Sequence, residues 1–367
     1  MVKVDCYLGV DSKEMWGINR YKIAVFENLV DSELEKKKVV YKIPKEPAIL
    51  NRLANFFDMF TYSPLAVVKH RRQDAVALLL AHPEAYLLNY FKFKKSVVIC
   101  HDILPLQFKL TGWLSSMKLR FAFRGMLKAD RIIAIAEGVK DDIVNYLNYP
   151  AERIDVVISG ADHDHFKVID GDFSDVRRKY GVPEGKRIIL FLASEEPRKN
   201  FPIVLKAFAK LKKRMPDIVL LKAGKAGRKE FREDNLRLIK KLGISKDVIF
   251  TGYVSEEDVP LVYNMSDIFA YPTLYEGAMS LPLFEAMACG CPVVSTKYVV
   301  ETTGDIPSMM KNATDVDELE SLMYRVLNDK AFRQKVARFG LERAKDFRWE
   351  NTGKGIAEVI KRVAAEI

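Results

Sequence analysis

Cysteine is scarce: Cys6, Cys100, Cys289 and Cys291 are the only four in 367 residues. Their spacing fits neither a zinc site nor a small disulfide framework, so a reducing compartment, the cytoplasm, is expected. Long apolar runs are missing too, and no stretch approaches the ~18 residues of a membrane span. The sequence opens on Lys3-Val4-Asp5 rather than on a basic segment followed by an apolar one, which gives no secretory signal. The expectation is a soluble protein or one attached peripherally to a membrane face. Short repeats and low-complexity tracts are absent as well.

What is present is ordinary globular composition, 49% hydrophobic and 29% charged, and a length that suggests two domains. The net charge of +10 would attract a phosphate-bearing ligand, an anionic membrane surface or a nucleic acid. Its basic residues are dispersed among acids and no nucleic-acid reading module is recognisable, so nucleic acid is set aside.

Hydrophobic periodicity alternates between strand and helix along both halves. The first half reads as strand Val4–Val10, a helix from Ile18 to Leu29, strand Val39–Ile43, a helix around Ile49–Phe60, strand Ser96–Cys100, helix Trp113–Lys128, strand Arg131–Ile135, helix Val139–Leu147 and strand Ile154–Ile158. From Gly160 to Gly185 the periodicity lapses and Asp, Gly and Pro accumulate, as in a connector. The alternation then restarts with strand Ile188–Leu192 and runs to strand Pro292–Ser295, followed by amphipathic segments, the last starting at Trp349. The expected fold is α/β, with two Rossmann-like, doubly wound domains facing across a cleft. Residues 1–165 form the first, 166–185 the linker, 186–348 the second, and 349–367 a C-terminal helix that can cross back to the first.

Ligands of open α/β sheets sit at the carboxyl ends of the strands, and the densest polar group there is Tyr271-Pro-Thr-Leu-Tyr-Glu-Gly-Ala-Met-Ser-Leu-Pro-Leu-Phe-Glu285. Glu276 lies on the loop after a strand and Glu285 inside the next helix, with Gly277 between them allowing close backbone approach. A carboxylate accepts two hydroxyl hydrogens, as vicinal ribose hydroxyls require, and free N–H groups at Ser280-Leu281, where that helix starts, suit a diphosphate. The alternative makes Glu276 a turn residue and Glu285 a solvated helix residue. After another strand, Ala193-Ser-Glu-Glu-Pro-Arg-Lys-Asn200 places Arg198 and Lys199 where cations can neutralise a leaving diphosphate; a solvated loop is the alternative.

The segment from Glu276 to Val294, together with Phe250-Thr-Gly-Tyr-Val254, Ala129-Asp-Arg-Ile-Ile-Ala134 and Gly160-Ala-Asp162, resembles glycosyltransferase family 4 of the GT-B fold. The resemblance spans nearly the whole chain and implies a retaining, metal-independent hexosyltransferase, with no cofactor beyond its nucleotide-sugar substrate. It implies that Glu285 holds the donor ribose, Glu276 the sugar hydroxyls, and Lys199 the diphosphate, with Ser194 where the family commonly has an Arg or Lys. Gly17, in Trp16-Gly-Ile-Asn-Arg-Tyr21, matches one glycine of a loop that approaches the donor phosphates. Gly252, Tyr253 and Val254, with the Ala223-Gly224 turn, fall where the base is read. One departure is plain: eight residues, Gly277 to Phe284, separate the two glutamates, where the family usually has seven. An extra residue spans up to ~3.5 Å of chain, so Glu285 is the firmer of the pair.

On the acceptor side, His101-Asp102 ends the Ser96–Cys100 strand, similar to a family segment whose histidine nears the transferred sugar or acceptor, and Asp102 would orient His101 or cap the next turn. His82 ends another candidate strand. Asp162-His-Asp164 and Asp170-Gly-Asp172 lie in the connector and are not read as metal ligands. Trp113 to Lys128 separates apolar from basic faces; it is either a domain helix or an interfacial helix giving peripheral membrane contact. The expected function is hexose transfer from GDP-mannose or a UDP-hexose to a glycan, lipid-linked or small-molecule acceptor. The rivals are a sugar-phosphate synthase, a nucleotide-sugar epimerase, or a catalytically idle partner of the same fold.

Overall fold

The structure is a computed structural model, and it describes residues 1–10, 18–41, 62–103, 113–275 and 280–366. The chain divides into two compact units, the first made of Met1–Gly160 and Arg348–Ile367 and the second of Ala161–Phe347.

The first unit holds a six-stranded sheet of order β2-β1-β3-β4-β5-β6. Its strands are β1 (Val2–Val10), β2 (Leu34–Tyr41), β3 (Val76–Leu79), β4 (Lys95–Cys100), β5 (Arg131–Ala134) and β6 (Ile154–Val156). Every pairing is parallel, so helices cover both faces and the central strands are near-continuous apolar runs. Val76–Leu79 and Val97–Cys100 are buried throughout. The helices are α1 (Ile18–Asn28), α2 (Tyr62–His70), α3 (Trp113–Met126) and α4 (Glu137–Leu147), with a 3-10 turn at His82–Asn89.

The second unit repeats the plan with order β12-β11-β10-β7-β8-β9: β7 (Arg187–Leu192), β8 (Ile218–Ala223), β9 (Val248–Gly252), β10 (Ile268–Tyr271), β11 (Val293–Thr296) and β12 (Met309–Met310). Its helices are α5 (Ser174–Lys179), α6 (Phe201–Arg214), α7 (Lys229–Leu242), α8 (Val259–Asn264), α9 (Leu281–Ala288), α10 (Val300–Thr303), α11 (Val316–Asn328) and α12 (Lys330–Ala344). Its core runs from Phe166 through Phe191, Phe208, Tyr263 and Phe269 to Phe347.

Three sequence expectations differ from these elements. The strand read as Val39–Ile43 begins five residues earlier, at Leu34. Its Glu35-Lys36-Lys37-Lys38 looks unlike a strand because β2 is an edge strand pairing only with β1, and edges tolerate charge. The segment 166–185, read as a connector, contains α5 and contributes Phe166, Val176 and Val182 to the core of the second unit. The helix expected around Ile49–Phe60 lies outside the described residues. The last helix, α13 (Trp349–Ala365), packs on α1 and β4 of the first unit. There Gly353 is required: an added Cβ would strike the backbone carbonyl of Asn28.

Candidate functional site

In the second sheet the chain starts in the middle at β7, moves out to β9, and returns to β10 on the other side of β7. The strand order therefore reverses between β7 and β10, and the loops leaving their carboxyl ends diverge to leave a crevice. Lys199 closes the 3-10 turn Pro197–Lys199 after β7, while Ser280 and Glu285 follow β10. The two loops are tied together. Asn200 takes a left-handed conformation (φ 59°), and its amide donates to the Pro272 carbonyl at 3.0 Å and the Ala313 carbonyl at 2.8 Å. The Arg198 carbonyl accepts from the Leu274 N–H at 2.8 Å and the Thr273 hydroxyl at 2.9 Å.

Lys199 is buried; its ammonium donates to the Tyr271 hydroxyl and lies 5.0 Å from that ring's centroid. The Arg198 guanidinium pairs with Glu196 at 3.0 Å. Glu285 is buried on α9 and accepts a hydrogen bond from the Tyr263 hydroxyl at 3.2 Å. Burial first, and then the charge of Glu285, push the Tyr263 hydroxyl far above its usual pKa, so it stays a donor.

The start of α9 offers an anion less than its sequence suggests. Pro282 has no N–H, and the N–H groups of Leu283 and Phe284 both bond to the Ser280 carbonyl, at 3.1 and 3.2 Å. The Ser280 N–H goes to the Thr302 hydroxyl at 3.1 Å. The Ser280 hydroxyl is buried without a hydrogen-bond partner. Beside this, the ends of β7, β8 and β9 form a second layer. The Gly224 N–H bonds to the Gly252 carbonyl at 2.8 Å, and both glycines have positive φ, 90° and 68°. Tyr253 is half exposed with the Lys225 ammonium over its ring at 5.8 Å, and Val254 is buried.

The first sheet reverses between β1 and β3. His82 follows β3 and stacks on Phe123 of α3 at 5.4 Å; His101 follows β4, with its ring edge-on to Tyr21 at 4.4 Å. Both imidazoles are buried, and desolvation pushes their pKa values down to about 3, so they are neutral at physiological pH. His82 Nδ1 has no hydrogen-bond partner. Near them lies a buried ion pair that the sequence reading missed, Lys22 with Glu84, in which Lys22 also donates to the Leu8 carbonyl at 3.0 Å. Glu84 lies against Gly9, the penultimate residue of β1. Asp102 is partly buried, and its carbonyl faces the Cys100 thiol at 3.5 Å.

The sequence profile for "Glycosyltransferase Family 4" matches residues 18–165, and that for "Glycosyl transferases group 1" matches residues 172–343. The chain belongs to the family 4 glycosyltransferases. Among relatives in the family, the serotype-specific mannosyltransferase WbdA of Escherichia coli is 31% identical over 337 residues, 80% of this chain and 40% of WbdA. The O-antigen chain mannosyltransferase B of Escherichia coli is 27% identical over 365 residues, covering 91% of this chain and 93% of that protein. The chain spans between 32% and 40% of the length of the WbdA proteins it matches. Among solved structures, Anabaena Alr3699/HepE in complex with UDP-glucose superposes with a TM-score of 0.78 at 17% identity, over 99% of this chain and 100% of that one. The sucrose-phosphate synthase of Thermosynechococcus elongatus gives 0.77 at 16% identity, over 100% and 99%. These likenesses show the GT-B fold.

Three residues that the family resemblance singles out, Gly17, Glu276 and Gly277, lie outside the described residues. Of the rest, Arg198 and Lys199 follow β7, while Ser280, Leu281 and Glu285 lie at the start of and within α9 after β10, either side of the reversal; Gly252 ends β9, and Tyr253 and Val254 follow it. His82 and His101 stand 6.3 Å apart, ring to ring, in the first unit. The aspartates of the two Asp-x-Asp strings act locally: Asp162 accepts from the N–H groups of Asp164 and His165, and Asp172 caps Ser174. No group of three His, Cys, Asp or Glu able to hold a metal occurs among the described residues. The helix α3 buries Ala122, Phe123 and Met126 and exposes Met117, Arg120 and Arg124, and Leu127 and Lys128 in the turn after it are exposed as well. No described helix is long and apolar enough to cross a membrane.

Proposed function

We propose that this chain transfers a hexose, mannose by analogy with WbdA and the O-antigen mannosyltransferase, from a nucleoside diphosphate to an acceptor hydroxyl on a glycan, a lipid-linked glycan or a small molecule. The reading rests above all on a buried cation, Lys199, in the segment after β7 and a buried carboxylate, Glu285, on the helix after β10, the two strands between which the sheet order reverses. In it Glu285 accepts the ribose hydroxyls while Tyr263 holds its carboxylate in place. Lys199, assisted by Arg198, stabilises charge as the diphosphate departs. Because α9 begins with few available N–H groups, the cations carry most of that task. Glu276 would take the sugar hydroxyls, and neutral His101, with His82, the acceptor side.

Transfer is metal-independent and retaining in this reading, both by family membership: the departing diphosphate oxygen accepts the acceptor's proton, and no dedicated protein base is needed. Met117, Arg120 and Arg124 on α3, with Leu127 and Lys128 in the turn that follows, give a mixed apolar and basic outer surface suited to an anionic bilayer on the cytoplasmic side. The test is a thermal-shift screen of GDP-mannose, UDP-glucose and the free nucleotides, followed by product analysis with labelled donor. Stabilisation by a nucleotide sugar and label in an acceptor are expected. Failure to bind any donor would favour an idle partner, and sugar epimerised without transfer would favour an epimerase.

A further inference from the structure

Glu195 is the one carboxylate of the Ala193–Asn200 loop that is fully buried, and it is surrounded by donors. Arg232 of α7 donates to it through Nε at 2.8 Å and Nη2 at 2.5 Å. Asn235, one turn further along α7, donates at 3.0 Å. The ammonium of Lys222, also fully buried, stands 3.6 Å away at the end of β8 and donates to the carbonyls of Ala223 and Gly224 at 3.0 and 2.9 Å. Arg232 in turn lies over the Phe250 ring of β9 at 4.2 Å. The Glu195 N–H bonds to the Ala226 carbonyl at 2.9 Å. One carboxylate thus joins the carboxyl ends of three adjacent strands and the helix behind them.

Such a group is costly to bury and is tolerated only because every partner is present. Its location gives that cost a use. Four residues after Glu195 comes Lys199, and the turn that Lys222 clamps is the one whose Gly224 N–H meets Gly252. We infer that Glu195, with Lys222, Arg232 and Asn235, is the positioning centre that fixes the 193–199 loop and the Gly224 turn for binding a nucleoside diphosphate. This rests on the donor-site reading given above. The role is one of positioning, since Glu195 itself is sealed from any ligand. Two of the four groups are cations and one an anion, so the centre also leaves one net positive charge behind the loop that carries Lys199.

The experiment compares the wild type with Glu195→Gln and with the double variant Glu195→Gln/Lys222→Met. Glu195→Gln keeps the shape but removes the charge; the double variant also removes one cation and restores the original net charge. Amide hydrogen exchange is measured on ligand-free protein, and binding of UDP and GDP by calorimetry. Glu195→Gln should raise exchange in residues 193–199 and 223–227 while leaving β11 unchanged, and should weaken the nucleotide that the wild type binds by about tenfold. With a donor sugar, the loss should fall on the donor KM rather than on kcat. The double variant should recover part of the affinity, and it keeps the comparison available if the single variant folds poorly. Unchanged exchange, or unchanged affinity in a folded variant, overturns the positioning role. A wild-type protein that binds neither nucleotide overturns the donor-site reading itself, whatever the exchange data show.

Discussion

The two sheets reverse their strand order in the same way, yet the reversals are furnished differently. Between β7 and β10 the buried polar groups include two charges among neutral hydroxyls such as that of Ser280: Lys199 meets a tyrosine hydroxyl, Glu285 accepts from another, and the loops are cross-tied by Asn200. Between β1 and β3 two neutral imidazoles sit beside one internal ion pair, and atoms such as His82 Nδ1 and Glu84 Oε2 are buried without partners. A site for a phosphorylated ligand needs fixed charge. A site for hydroxyl-bearing acceptors does better with neutral groups and charges that cancel internally. The difference is the one expected if, as proposed, the second unit binds the phosphorylated donor and the first the acceptor.

Removing a charge from the β7/β10 side is the sharpest way to test that contrast. Lys199→Ala and Glu285→Ala are each expected to lower donor-dependent turnover by about a hundredfold or more, measured as label transferred at saturating acceptor. Glu276→Ala is expected to be the best tolerated of the three candidate donor-site substitutions. If Glu285→Ala leaves both donor affinity and turnover intact, the donor site has been misplaced. On the β1/β3 side the expected loss is of stability instead. Lys22→Met strands the Glu84 carboxylate and should cost about 3 kcal/mol in denaturant unfolding, whereas Lys22→Met/Glu84→Leu should recover much of it.

The imidazoles sharpen the comparison through pH. His82 and His101 titrate near pH 6.5 when unfolded, but burial lowers both to about 3 in the fold. The stability they contribute is complete above pH 6.5 and is lost as pH falls toward 3. His82→Phe, which keeps the stacking on Phe123, should flatten the fall in thermal midpoint between pH 6.5 and 4. An unchanged acid slope would contradict the burial argument. The smallest effect is expected from Tyr263→Phe, which removes the hydrogen bond to Glu285; nucleotide affinity should drop only a few-fold, equivalent to about 1 kcal/mol.

Much of this architecture is legible in the sequence because buried parallel strands are apolar runs: β5 and β7 fall within one residue of where periodicity places them. Where the reading fell short, a local signal opposed the tertiary one. The lysines of β2 hide an edge strand, and Gly and Asp around α5 hide a helix that packs on the second core. Glu195 was invisible for a different reason. In Ser-Glu-Glu-Pro-Arg-Lys it looks like any surface carboxylate, and only the arrival of Lys222, Arg232 and Asn235 from elsewhere in the chain makes it central. The same holds for Lys22 and Glu84, which lie 62 positions apart. Lys199 and Glu285 were accessible because their placement follows from strand ends, which the sequence marks.

The return of α13 to the first unit has a consequence for synthesis. The whole second unit, 161–347, is continuous in the chain, whereas the first is assembled from two pieces that flank it. A ribosome therefore delivers everything needed for the second unit before it delivers the helix that covers α1 and β4. Until then the first unit has an apolar face open, and residues 348–367 close a unit whose larger part precedes the second one in the chain.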